Sequence, residues 1–216
     1  MISSRALDVL YQILCAAFCV IVVTSNIISA KMVEMPFVKD FSIPAGGFIY
    51  PITFLLSDLV TEIYGAPKAK LIVFIALGMN LLSLGIIEIA LMMPTPDLEM
   101  GHAFHMVLGL SSLRIMASLA AYLIAQVVDI ELYALIKRWT GMRWLWLRNN
   151  GSTCLAQIVD TVVVDVFFLY WGMGLPWSVV MPIIVFGYAY KVCFSVVNTP
   201  LFYLSVFLIR RGNCKA

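Results

Sequence analysis

The sequence predicts an all-α polytopic membrane protein of six transmembrane helices, and three observations carry that prediction. The 216 residues are 62% hydrophobic and only 12% charged, about half the charged share of a soluble domain, and mean hydropathy is +0.99. Six apolar stretches each approach or exceed the roughly 20 residues that a helix needs to cross about 30 Å of hydrocarbon. The basic residues between these stretches alternate in density from one loop to the next. This composition excludes a disordered chain, a collagen-like fibre and an ordinary soluble globule. A net charge of +2 with no basic block leaves no electrostatic footprint for nucleic acid. Cys15, Cys19, Cys154 and Cys193 sit in apolar runs and Cys214 in the tail, with no metal spacing. They read as small packing residues rather than a disulfide framework.

The elements follow in order along a single transmembrane domain, 1–216. The first span, 7–33, has Asp8 at its start and Lys31 near its end. It is too long for a signal peptide and lacks a convincing cleavage site, so it is expected to be a retained helix. The second, 46–64, opens after Pro44 at Gly46-Gly47 and stops before Gly65 and Pro67. The third, 69–93, ends at Pro94-Thr95-Pro96, the fourth, 112–137, before Gly141, and the fifth, 151–172, before Gly174-Leu175-Pro176. The sixth covers 177–209. Strands fit poorly, because these runs are long and lack alternation of period two. Arg5, Lys68, Lys70, Lys137, Arg138, Arg143, Arg148, Arg210, Arg211 and Lys215 fall on one side, against Lys39 and Arg114 on the other. That asymmetry predicts both termini in the cytoplasm. Trp139, Trp144 and Trp146 suit the inner interface, and Trp171 and Trp177 the outer.

Ionisable groups within spans are expensive and usually face a partner helix or a pathway. Lys31, Asp58, Glu62, Glu88, Asp129, Glu131, Asp160, Asp165 and Lys191 all fall inside or at the ends of the stretches. In the fourth span, Arg114, Ser118, Tyr122, Gln126 and Asp129 lie at about 0°, 40°, 80°, 120° and 60° on a helical wheel. They form one polar stripe. The fifth span repeats the pattern: Ala125-Gln126-Val127-Val128-Asp129 recurs as Ala156-Gln157-Ile158-Val159-Asp160, with Arg148 and Ser152 ahead of it. Two amide–carboxylate pairs on antiparallel neighbours can face one another across a midplane site. The plainer reading is interhelical hydrogen bonding at about 1 kcal/mol per contact, but such seams rarely need two carboxylates. Asn26 in the first span and Thr53, Asp58 and Glu62 in the second add candidates, and Lys191 shares a face with Asn198 in the sixth. Lys31 and Lys191 either neutralise buried acids or touch a ligand directly. Asn80 and Glu88 in the third span read equally well as packing.

Such a lining suits a flat polar heterocycle. Paired carboxylate oxygens accept parallel N–H bonds from an amidine-like or guanine-like edge, and amides read a lactam edge. Enzyme chemistry finds no motif: there is no HExxH, no Gly-x-Ser-Gly, no Gly-x-Gly-Asp and no Walker sequence. His102 and His105 near Asp97 and Glu99 read as a solvated outer loop. No catalytic residue, metal site or cofactor is expected.

The string Tyr50-Pro51-Ile52-Thr53-Phe54, continued by Asp58, Glu62, Tyr64 and Gly65, resembles the signature of the queuosine precursor transporter family, also named the vitamin uptake transporter family. The resemblance runs through Asn26, Lys31, Arg114, Ser118, Gln126 and Asp129. It continues through Leu145-Trp146-Leu147-Arg148-Asn149, Ser152, Gln157, Asp160 and Thr161 to Lys191 and Pro200. It implies a six-helix fold similar to the S-components of energy-coupling-factor systems. It also implies import of 7-deazaguanines (preQ0, preQ1 or queuine) across a bacterial inner membrane for queuosine salvage into tRNA. Asn26, Asp58, Glu62, Ser118, Gln126, Asp129, Gln157 and Asp160 are then the substrate-binding candidates, with Lys31, Arg114, Arg148 and Lys191 as charge-balancing or gating groups. An S-component-like subunit needing a separate ATP-driven module is the alternative. A homodimer or an unidentified energising partner stays open. Asp165 and the loop around His102 depart from the family pattern.

Overall fold

The computed structural model describes residues 4–34, 42–109, 112–141, 144–166, 170–171 and 174–214, leaving out the side chains of 4, 42–43, 112–118, 164–165 and 210–214. The side chains of Arg114, Ser118 and Asp165 therefore lie outside the described residues, as do those of Lys39, Arg143, Arg210, Arg211 and Lys215. The described chain is helical, in the order α1 (Ser4–Ile28), α2 (Gly46–Ile49), α3 (Pro51–Tyr64), α4 (Ala66–Met92), α5 (Leu98–Leu108), α6 (Ser112–Thr140), α7 (Leu145–Asp165) and α8 (Trp177–Cys214). Two short strands, β1 (Met32–Glu34) and β2 (Ser42–Pro44), pair antiparallel between α1 and α2, with Met32 opposite Pro44.

Among the described residues, five stretches are long and apolar enough to cross a membrane: Arg5–Ile28, Gly46–Tyr64, Ala66–Met92, Leu119–Thr140 and Trp177–Ile209. The outside of the bundle is apolar: Phe74, Leu82 and Ile86 on α4 and Val197, Leu201 and Phe207 on α8 are exposed. Asp58, Gln126, Asp129 and Arg148, in contrast, are 0% exposed. Apolar surface around a polar interior is the arrangement of a polytopic membrane protein.

Four expectations need correction. The fifth expected span, now α7, is not among the five apolar stretches. It starts at Leu145 rather than 151, so Arg148, Asn149 and Asn150 are buried helix residues and lower its hydropathy. Arg148 is consequently no loop charge. The first span stops at Ile28 rather than 33, because the chain turns through Ser29–Lys31 into β1 and the Ala45 N–H closes that turn on the Lys31 carbonyl at 2.7 Å. The outer segment around His102 is a helix, α5, capped by the Asp97 carboxylate accepting from Met100 N–H at 3.1 Å.

Packing centres on α3, which touches α1, α4, α6, α7 and α8, while α6, α7 and α8 pack in succession. The apolar core joins Phe18 and Val22 of α1, Val60 of α3, Ile72 and Val73 of α4, Tyr133 of α6 and Phe202 of α8. Gly46 lets α2 press onto α1: a Cβ there would run into the Ser25 carbonyl and the Ser29 hydroxyl. At the other end of α3, Gly65 takes φ 86, a conformation open to glycine. That stops α3 and starts α4 at Ala66-Pro67. A clasp holds α1 to this corner: Tyr64 donates to the Leu7 carbonyl at 2.8 Å and Tyr11 to the Lys68 carbonyl at 3.0 Å. The Lys68 ammonium lies over both rings, 5.2 and 5.3 Å from their centroids.

Candidate functional site

The polar side chains of α3, α6, α7 and α8 meet inside the bundle in three tiers. Thr53, Asp58 and Glu62 of α3 face Gln126, Asp129 and Tyr133 of α6 in the same order, so these two helices run parallel. Arg148, Thr153 and Asp160 of α7 meet them in reverse order, so α7 is antiparallel to both. On α6 the spacing of three and four residues keeps Gln126, Asp129 and Tyr133 on one helix face.

At one end Glu62 is the hub. It accepts from the Tyr133 hydroxyl at 3.0 Å and lies 3.2 Å from Lys137 Nζ and 3.5 Å from Arg148 Nη2. Lys137 also donates to the Glu62 carbonyl at 2.7 Å, satisfying one of the orphan carbonyls at the end of α3. Arg148 donates to the Gly141 carbonyl at 2.6 Å, tying the turn between α6 and α7 to the cluster. Behind it, Asn150 of α7 donates to Thr199 Oγ1 at 2.9 Å and accepts from Ser195 of α8 at 3.3 Å.

In the middle tier the Asp58 and Asp129 carboxyls stand side by side, with Ser152 and Thr153 of α7 next to them. None of the four carboxylate oxygens meets a protein donor in good geometry.

The third tier lies at the Tyr50 end. Gln126 donates to Thr53 Oγ1 at 3.0 Å and leaves its own Oε1 unpartnered. Gln157 is 1% exposed with neither amide atom partnered, and the buried Tyr122 hydroxyl is also without a partner. Asp160 pairs with Lys191 of α8 at 2.6 Å and accepts from the Tyr50 hydroxyl at 3.5 Å. The Tyr50 ring packs edge-on to Phe54 and Tyr122, 5.6 and 5.9 Å between centroids. Ala125 and Ala156 close on Phe54, and their small side chains let α6 and α7 approach.

Gln126, Gln157 and Asp160 thus share one tier. Asp129 lies one turn from Gln126 on α6 and beside Thr153 of α7, while Asp160 is seven residues, about 10 Å, farther along α7. Lys191 balances Asp160, whereas Lys31 is exposed in the turn after α1. Asn26 is half-buried on α1 beside the buried Ser25. On α8 the buried polar face is Ser195 and Thr199 rather than Asn198, and Glu88 is exposed on α4. Several contributors went unread in the sequence, among them Asn150 and Thr153 of α7 and Ser195 and Thr199 of α8. Tyr133 and Lys137 extend the α6 stripe at i+4 and i+8 from Asp129, and following the wheel past Asp129 reaches them.

Comparison with known proteins gives a family. Residues 44–205 match the family described as "Putative vitamin uptake transporter", which covers three quarters of the chain and all three tiers. A Bacillus subtilis (strain 168) protein named "Probable queuosine precursor transporter" is 27% identical over 186 residues, spanning 84% of this chain and 78% of its own. An Escherichia coli (strain K12) protein named "Queuosine precursor transporter" is 29% identical over 186 residues, 83% of this chain and 79% of its own. A third, from Haemophilus influenzae (strain ATCC 51907 / DSM 11121 / KW20 / Rd) and named "Probable queuosine precursor transporter", is 25% identical over 63% of this chain and 57% of its own. No solved structure matches the chain.

Proposed function

The chain belongs to the vitamin uptake transporter family, and from that premise we propose that it imports a queuosine precursor of the 7-deazaguanine class. The observation that carries this reading is the tier at the Tyr50 end. Gln157 and Gln126 hold three buried amide atoms without partners among the described residues, each costing about 1–3 kcal/mol. Those atoms, the Tyr122 hydroxyl and the Asp160 carboxylate match a guanine-like edge. The amides meet the lactam N–H and C=O, and the carboxylate accepts two parallel N–H groups. Tyr50, Phe54 and Tyr122 supply faces for the flat bicycle.

Import follows from two closures. The Asp160–Lys191–Tyr50 contact shuts the Tyr50 end and the Glu62–Arg148–Lys137 cluster shuts the other. Substrate enters as Asp160 exchanges Lys191 for the base edge, and leaves when the Glu62 cluster parts. In this scheme α7 is the sixth crossing. Its contacts run from Glu62 to Tyr50, the same depth as α3, so a polar helix spans by lining the interior. The Tyr50 end faces outward and both termini are cytoplasmic, following the loop charges.

Thermal unfolding of the purified protein with preQ0, preQ1, queuine or adenine tests the assignment. At one hundred times its Kd a true ligand stabilises by about 2.7 kcal/mol. One of the three 7-deazaguanines is expected to raise Tm and adenine to leave it unchanged, with Asp160→Asn losing the response. No shift with any of the three contradicts the reading.

A further inference from the structure

The middle tier has no role in the scheme above, and its chemistry is unusual. Asp58 and Asp129 are both 0% exposed and come from different helices; the Ser152 and Thr153 hydroxyls stand beside them, but no donor among the described residues meets their four oxygens in good hydrogen-bond geometry. Two ionised carboxylates side by side at 0% exposure, with no cation among the described residues paired to either, would cost many kcal/mol. Nearby cations are committed elsewhere: Arg148 and Lys137 to Glu62, and Lys191 to Asp160. The other titratable groups around the pair are Tyr50, Glu62 and Tyr133, with Cys154 on α7, none of which adds positive charge. On α1 and α4, Arg5, Asp8, Lys68 and Lys70 lie at helix ends, and Glu88 is exposed. Ser152 and Thr153 line the pair from α7. One turn beyond them Gln157, buried and unpartnered at both amide atoms, lies on the Thr153 face at i+4. The tier therefore adjoins the base-reading tier, and no cation among the described residues is paired with either of its two carboxyls.

We infer that the Asp58–Asp129 pair is a cation site whose occupant is a proton, shared between the two carboxyls and carried inward with each substrate. A protonated carboxyl becomes a donor, so one proton turns two opposed acceptors into a hydrogen-bonded pair. The proton is taken up from the side that admits substrate and is released to the cytoplasm once the Glu62 cluster opens.

The inference rests on the transport reading, and the test separates the two. The full chain in proteoliposomes, with the membrane potential clamped at zero, is supplied with labelled preQ0, preQ1 or queuine under a one-unit pH gradient, alkaline inside, or under a sodium gradient. One proton per substrate supports about tenfold accumulation from that pH gradient, with acidification of a trapped pH dye and no response to sodium. Infrared spectra of the purified protein supply the second readout. The C=O stretch of a protonated carboxylic acid is expected in the unmodified protein and absent from Asp58→Asn and Asp129→Asn, with the helical amide band reporting folding in the same spectrum. Sodium-driven accumulation, transport without luminal acidification, or an acid band persisting in both variants overturns the proton assignment. Failure of the unmodified protein to move any 7-deazaguanine under either gradient overturns the transport reading, and proton coupling with it.

Discussion

Gln157 shows most sharply how residue chemistry separates function from folding. A 1%-exposed amide with no partner at either end destabilises the empty protein, so a residue chosen for packing alone would be leucine. Gln157→Leu is therefore expected to raise the thermal stability of the purified protein by about 1–3 kcal/mol while weakening 7-deazaguanine binding at least about tenfold. Unchanged binding would remove Gln157 from the site. The Glu62 cluster predicts the opposite. Glu62→Ala strands the fully buried Arg148 and should cost about 3–5 kcal/mol. Lys137→Ala removes a partner that is 32% exposed and should cost about 1 kcal/mol or less. Equal losses in denaturation of the two variants would contradict the burial argument. The amide–carboxylate repeat on α6 and α7 was legible in the sequence, because a spacing of three puts both groups on one helix face. Which acid lacked a basic partner was not legible, since that depends on the register between helices. Asp160 obtains Lys191, thirty-one residues away, whereas Asp129 meets another acid.

At the scale of elements, apolar length and Gly/Pro punctuation located most helices within a few residues. The second span, 46–64, matches its expected bounds because glycine marks both of its ends. The misreadings share a cause. Hydropathy counts side chains without knowing which face is interior, so a helix lined with Arg148, Asn149 and Asn150 looked like a loop. The hairpin after Ile28 is likewise invisible to an apolar count, because its backbone pairing needs no polar side chain. The α1–α2 crossing gives a prediction at this scale. Gly46→Ala places a methyl against the Ser25 backbone, whereas a Cβ on Gly47 meets nothing within 4 Å. Gly46→Ala is expected to reduce folded protein in the membrane several-fold and Gly47→Ala to leave it unchanged, as read by fluorescence-detected size exclusion. Equal behaviour would show that the two helices do not cross this closely.

For the whole molecule, the three tiers give one interior with two closures, and orientation decides which closure faces the cytoplasm. Cysteine labelling on a cysteine-free background checks it. Gly141→Cys should react only when the cytoplasmic face is opened, and Gly174→Cys from outside intact cells; the reverse pattern would invert the scheme. Loop charges alone argue for this orientation, and Arg148 leaves that tally once it is buried. The choice among 7-deazaguanines was not legible, because it depends on substituents that lie beyond the guanine-like edge proposed to meet Gln126, Gln157 and Asp160. The central claim, import of a queuosine precursor, is tested most directly by complementation. The host is a bacterium lacking queuosine synthesis, its own importer and any energy-coupling-factor module, fed limiting preQ0, preQ1 or, where it can insert the finished base, queuine. Queuosine in tRNA is scored by boronate-gel mobility shift. The account predicts restored queuosine with at least one precursor and its loss with Asp160→Asn. With the protein present in the membrane, unmodified tRNA under all three feedings would contradict it.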